Sequence, residues 1–254
     1  SSESMQGWGG LYLLGVALGD KEMRDAGIFG WETESRGTAE YWFDRDRENI
    51  DYTKYTSPYN CNLTSAGVGW WTWFSGDNAW IHGIQWMPIS TCLKYLYKDL
   101  DFAAWDYATM DATRSIGGFD VVPQGDFLSR ESGLGNVALS YLQISDPDRV
   151  AAIFDTMWDN EMPVARNVDT GGITYYITHS HRSYGEICWN IHADVPTATA
   201  YLKDGVYTYM VYNPESTEKL ITFYENNNVK IQFSAGPNRL TVYRDEPRPT
   251  SLEW

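Results

Sequence analysis

The 254 residues, 43% of them hydrophobic, are enough to bury a sizeable core in one large domain or a domain with an appendage, and they exclude a disordered chain. A formal charge of -15 argues against nucleic acid and anionic membranes as partners, because both need a basic surface. No apolar run is long enough to cross a bilayer. The 12 Trp and 18 Tyr are well above ordinary usage, and flat rings serve two ends, filling a core or stacking on the apolar faces of sugar rings.

The opening Ser1-Ser2-Glu3-Ser4-Met5 shows no initiator Met, basic stretch or signal-type apolar core, and reads as the interior of a longer protein. From Met5 to Leu18 the apolar residues fall at helical spacing, with Trp8, Tyr12 and Val16 on one stripe and Leu11, Leu14 and Leu18 beside it. Ser1, Ser2 or Ser4 suits the cap of this helix. A second helix is expected from Asp20 to Phe43 with a break near Gly30, followed by an aromatic-rich loop from Asn49 to Asp77 that ends in Gly69-Trp70-Trp71-Thr72-Trp73-Phe74. Further helices are expected at Pro88 to Tyr97, Asp99 to Ser115, Asp126 to Gln143 and Asp146 to Asn160. Helix pairs joined by long loops fit a helical toroid of the (α/α)6 kind, and fit an ordinary helical domain equally.

Past Pro196 the period changes to alternation, with runs at Thr197 to Leu202 and Val206 to Tyr212 joined by Lys203-Asp204-Gly205, a hairpin signal. Leu220 to Tyr224, Val229 to Phe233 and Leu240 to Tyr243 continue the pattern. The fold class is therefore mainly α, residues 1 to 195, followed by a small antiparallel β unit at 196 to 254. About 60 residues is near the lower limit for independent folding, so the β unit is expected to dock on the helices.

Cleavage of a glycosidic bond needs one carboxyl to protonate the leaving oxygen and another to act across the ring. Glu3, near the positive end of an aromatic-striped helix, is one candidate, although on position alone a first-turn acid without catalytic duty is the simpler reading. Glu32 and Glu34, two apart, do not share a helix face; a groove contact for one and solvent for the other is one arrangement, and a solvated pair the commoner one. His82, beside Gly83 and flanked by apolar residues, suits a tight turn and either a hydrogen-bonded core position or a substrate contact. His179 and His181 lack nearby Asp, Glu or Cys to complete a metal set. Cys61, Cys92 and Cys188 are too few and scattered for a disulfide framework or zinc site, and Asn62-Leu63-Thr64 is a glycosylation sequon. No phosphate loop or G-x-S-x-G elbow is present.

Several segments in order resemble glycoside hydrolase family 81, the endo-β-1,3-glucanases. Ser1 to Gly15 resembles that family's Glu-Ser-Ser-Ser-Glu helix and the Leu-Gly-rich run after it. Phe29 to Phe43 resembles its Thr-Glu helix ending in Tyr-Trp; Trp73-Phe74 and Ile81-His82-Gly83-Ile84-Gln85-Trp86-Met87-Pro88-Ile89 resemble two further signatures. The resemblance covers roughly residues 1 to 195 and implies part of an (α/α)6 catalytic barrel, an upstream β-sandwich domain, a secreted enzyme, no cofactor or metal, and inversion at the anomeric carbon. It implies that Glu3 is the second of two catalytic-helix glutamates, the first falling just before Ser1 and the general-acid Asp further upstream. It further implies that Glu34 and His82 contact β-1,3-glucan, that Trp71, Trp73 and Trp86 are stacking platforms, and that Tyr12 binds beside them. A glucan-binding relative without catalysis is the alternative from another class; a polysaccharide lyase, needing cationic neutralisation of uronic acids, suits the acidic chain less.

Overall fold

A computed structural model describes residues 2–49, 51, 53, 78–86, 90–112, 134–166 and 170–245. The chain divides into two compact units, Ser1–His179 and Ser180–Trp254, the first mainly helical and the second built on antiparallel strands. The aromatic loop expected between Asn49 and Asp77 lies largely outside the described residues.

In the first unit, helix α1 spans Ser2–Leu18, starting ahead of Met5, so Ser4 sits within the first turn instead of capping it. Gly19, at φ +68°, turns the chain out of α1. The Asp20 side chain then accepts the Met23 N–H at 3.0 Å and caps α2, Lys21–Gly37. The two helices lie against each other at glycines: a Cβ on Gly15 would fall 2.4 Å from Arg24 N, one on Gly27 2.5 Å from Tyr12 N, and one on Gly30 2.2 Å from Trp8 Cδ2. Contacts on α1 move backward as those on α2 move forward, the register of an antiparallel hairpin. Gly30 does not break α2 as expected; it is the place where the Trp8 indole needs room, and the helix passes through it.

A π-helical turn, Thr38–Trp42, follows α2. Behind it Asp44, buried and at φ +45°, accepts the N–H groups of Glu48 and Asn49 at 3.1 and 3.0 Å. Helix α3 is Asn78–Trp86, where a tight turn at Gly83 was the expectation. A 3₁₀ stretch, Thr91–Lys98, takes the place of the helix expected at Pro88 to Tyr97. Then come α4, Leu100–Ala112, whose Phe102 N–H is capped by Asp99 at 2.9 Å, and α5, Leu134–Leu142. Helix α6, Pro147–Asp159, starts with Pro147 in its first turn and Asp146 as cap. Short α7, Pro163–Arg166, leads to α8, Thr170–Tyr184. The sequence reading assigns no element to 170–184, and the structure adds this helix. Buried Thr174 and Thr178, one turn apart, turn one face of α8 inward, and Thr174 donates to Asn136 Oδ1 at 2.9 Å on α5. Met5, Trp86, Met110, Leu139, Tyr141, Ile144 and Phe154 are among the side chains of one continuous helical core.

In the second unit, β1 (Glu186–Ile187), β3 (Ala198–Lys203), β4 (Val206–Asn213) and β7 (Arg239–Arg244) form a sheet ordered β1-β3-β4-β7. Strands β2 (Ile191–Ala193), β5 (Lys219–Glu225) and β6 (Asn228–Ala235) form another ordered β2-β5-β6, and every pairing is antiparallel. Strand pairing thus begins at Glu186, ahead of the change of period at Pro196. Asp204 and Gly205, at φ +50° and +80°, make the two-residue hairpin turn that their sequence announces, and Asn226-Asn227 repeat it at φ +51° and +64°. Tyr209 and Val211 from one sheet meet Ile221 and Phe223 from the other in a single core.

The glycine contacts make a direct prediction. Gly27→Ala should cost about 1–3 kcal/mol, because the new methyl meets backbone that cannot move aside. Gly7→Ala, with nothing within 4 Å, should be neutral or stabilising by up to about 1 kcal/mol. Equal thermal midpoints for the two variants would contradict the close helix pairing.

Candidate functional site

Glu3 stands exposed in the first turn of α1. Extending the hairpin register, in which Trp8 meets Gly30 and Tyr12 meets Gly27, brings Glu34 level with the first turn of α1. The two carboxylates therefore share one end of the helix pair. Neither makes a side-chain hydrogen bond or ion pair to any described residue, so both are available to a water or a sugar hydroxyl. Tyr12 lies ~13 Å along the helix axis from Glu3, at 1.5 Å per residue. It lines a cleft of about 300 Å³ with Gly9, Leu13, Gly27, Ile28, Trp31 and Glu32. Burial raises the Tyr12 phenol above its ordinary value and Arg24 partly opposes this, so the hydroxyl stays protonated and can both donate and accept.

Glu32 is differently placed. Lys98 donates to both of its carboxylate oxygens, at 3.0 and 3.1 Å, and the same ammonium sits 4.7 Å from the Trp31 ring centroid. Glu32 is thus engaged by Lys98, whereas Glu34 makes no such bond among the described residues. A larger cleft of about 720 Å³, lined in part by Glu32, Glu40, Arg45, Lys98 and Asp99, draws its charges largely into pairs of this kind, including Arg45 with Asp99 at 3.8 Å.

His82 and Trp86 are one turn apart on α3 and both are fully buried. His82 Nδ1 lies 3.0 Å from Asp106 Oδ1 on α4, while Trp86 Nε1 and the Tyr141 hydroxyl each donate to Asp106 Oδ2 at 2.9 Å. An ionised carboxylate only accepts, so His82 Nδ1 carries the proton in that contact. The Trp86 and Tyr141 rings stack with centroids 4.1 Å apart and planes at 5°. The expectations for these two residues are thereby corrected. A ring covered by Tyr141 and His82 offers no face to a sugar, and His82 is a core residue holding a carboxylate instead of a residue on a substrate-facing surface. Burial first, then the charge and hydrogen bond of Asp106, push the Tyr141 phenol well above its ordinary value.

Asp106 and Tyr141 were not among the residues that the sequence singled out. A signal existed: Asp106 occupies the stripe Ala103, Asp106, Tyr107, Met110, where an acid among buried apolar neighbours needs donors from another element. Trp71, Trp73 and the Asn62 sequon lie outside the described residues. His179 and His181 are on α8, where the His179 ring packs 4.1 Å from that of Tyr175.

Comparison with known proteins adds a family. The model of the glycosyl hydrolase family 81 C-terminal domain matches residues 1–155. A protein of Acetivibrio thermocellus named glucan endo-1,3-beta-D-glucosidase is 28% identical over 242 residues, which is 95% of this chain and 28% of the relative. One of the same name from Thermobifida fusca is 24% identical over 236 residues, 91% of this chain and 28% of the relative. A solved structure of a glycoside hydrolase family 81 protein from Clostridium thermocellum, a point mutant, aligns with a TM-score of 0.68 at 25% identity over 97% of this chain and 31% of that one. The chain spans less than a third of each relative.

The buried cluster is testable by stability. Asp106→Ala orphans three donors and should cost about 3–5 kcal/mol; Tyr141→Phe removes one charge-assisted bond and should cost about 1.5–3 kcal/mol. Because the folded state holds the Tyr141 proton more tightly than the unfolded state, this contribution is intact below pH 10 and is lost as pH rises past 10 toward the folded value. Denaturant titrations of parent and Tyr141→Phe should therefore converge on the alkaline side. An Asp106→Ala variant as stable as the parent would contradict the role given to this carboxylate.

Proposed function

Because the chain belongs to glycoside hydrolase family 81, we propose that the whole protein is a secreted, endo-acting hydrolase of β-1,3-glucan of the laminarin or curdlan type that inverts the anomeric carbon by acid–base catalysis. The observation that carries this reading is an open Glu3 carboxylate in the first turn of α1, within the residues that the family model matches. The names of the two curated relatives support the polymer and the bond.

In this mechanism Glu3 acts on the attacking water, as the base or as the group that orients it, on the face of the sugar ring opposite the leaving oxygen. The general acid and a second glutamate one helical turn before Glu3 come from the segment upstream of Ser1. Inversion requires acid and base to stand ~6.5–9.5 Å apart so that a water fits between them. Glu34, at the same end of the hairpin, hydrogen-bonds glucan hydroxyls, and Tyr12 extends the binding surface along α1. Trp71 and Trp73 stack on sugar faces. No metal or cofactor takes part, since protonation of the leaving oxygen and activation of water are both carboxyl chemistry.

The remaining helices of an (α/α)6 barrel, with an upstream β-sandwich, are the partners of this portion. Leu18, Ile28 and Phe29 support that reading: they are 65%, 45% and 74% exposed on α1 and α2, where a neighbouring helix would cover them.

In the full-length protein, Glu3→Gln keeps the side-chain shape and removes the charge. It should lower kcat on laminarin by roughly 10²–10⁴ while affinity changes little. Turnover near that of the parent would remove Glu3 from the catalytic set.

A further inference from the structure

Within the helical unit, α6, α7 and α8 line a cavity of about 570 Å³ that shares no residue with the Glu3 end of the hairpin. Its walls include two aromatic rings that remain about half exposed, Trp158 at 47% and Tyr175 at 49%, with Phe154 5.6 Å behind Tyr175. Asp155 and Trp158, three apart on α6, face the same side. Gly172 contributes open backbone: a Cβ there would have nothing within 4 Å, so packing does not demand the glycine and the space in front of it is free.

The polar groups are fixed in advance. Arg166 donates through Nε and Nη2 to the Trp158 carbonyl at 3.1 and 2.9 Å and lays its guanidinium 3.9 Å from the indole centroid. That leaves Nη1 with no partner among the described residues, and the Asp155 carboxylate has none there either. The cavity therefore presents one unused donor, one unused acceptor and the exposed parts of two aromatic rings, each already packed on one side, Trp158 by Arg166 and Tyr175 by His179. A cation is disfavoured because Arg166 already occupies the indole and repels it; an anion is disfavoured by Asp155 and by the chain's net charge of -15. A neutral polyhydroxyl compound suits all four features, since each hydroxyl both donates and accepts and the apolar face of a sugar ring matches an aromatic face.

We infer that this α6–α8 cavity is an accessory binding site for a neutral glucan chain, separate from the hydrolytic site and serving to hold polymer on the protein. The inference rests on the proposed function for its choice of sugar. An accessory site of this kind raises occupancy on an insoluble polymer through a second attachment point, and leaves turnover of a short soluble chain untouched.

The test uses the full-length protein and two probes, insoluble curdlan for binding by depletion and a short soluble laminari-oligosaccharide for turnover. Trp158→Ala with Tyr175→Ala should weaken curdlan binding about tenfold, the scale expected for paired aromatic contacts. Gly172→Leu removes no group and fills the cavity, and should weaken binding similarly; Asp155→Ala should do so by a smaller factor. Oligosaccharide turnover should stay within twofold of the parent, about the noise of such a comparison. Unchanged curdlan binding in Gly172→Leu and in the double variant, with the parent binding normally, would overturn the accessory site and leave the proposed hydrolysis standing. A parent protein that neither binds curdlan nor cleaves the oligosaccharide would overturn the proposed function, and this inference with it.

Discussion

One buried carboxylate organises the helical unit. Asp106 has no exposed surface, and isolating such a charge from water costs several kcal/mol unless donors replace the lost solvation. His82, Trp86 and Tyr141 supply them from α3 and α5, so three helices converge on two oxygen atoms with little freedom to slide. The near-parallel stack of Trp86 on Tyr141 is a consequence, because both rings reach the same oxygen. Two further ties carry the constraint outward. Trp42, at the end of the π-helical turn after α2, donates to buried Gln85 on α3, and Gln6 on α1 donates to Ser90 Oγ at 2.8 Å.

The helix hairpin inherits its position from this arrangement. Met5 is wholly buried in the same core as Trp86 and Tyr141, which pins the first turn of α1 while leaving Glu3, two residues earlier, exposed. Glycines at the α1–α2 contact then fix the register that sets Glu34 beside that turn. A carboxylate held by Lys98 through both oxygens is committed to the fold, whereas Glu3 and Glu34 make no such bond among the described residues. Open carboxylates on a rigid helical frame are what water activation in glycoside hydrolysis requires.

Elements with a strong local signal could be read directly from the sequence. Helix α6 follows from Asp146-Pro147 and its apolar spacing, and the β3–β4 hairpin from Asp204-Gly205 between alternating runs. Where residues earn their conformation from distant partners, the sequence misleads. Gly30 looks like a helix breaker and is a slot for Trp8; Gly83 looks like a turn and lies in the helix that aims His82 and Trp86 at Asp106. Helix α8 has no assigned element in the sequence reading; its buried Thr174 is tied to Asn136 on α5, a partner far along the chain. The motif likeness led to the family, but it also cast His82 and Trp86 as substrate contacts, and their burial came from Asp106, an acid whose importance depends on neighbours far along the chain. The apolar stripe around Asp106 was visible, yet its partners were not.

In the proposed mechanism, carboxylates act on a water to open a β-1,3-glucosidic bond in a single displacement. Proton NMR of the first products released from laminarin by the full-length protein tests it most directly. The α-anomer should accumulate first and then mutarotate, since the water attacks the face opposite the departing oxygen. Initial accumulation of the β-anomer would mean retention through a covalent intermediate, and would contradict the mechanism assigned to Glu3.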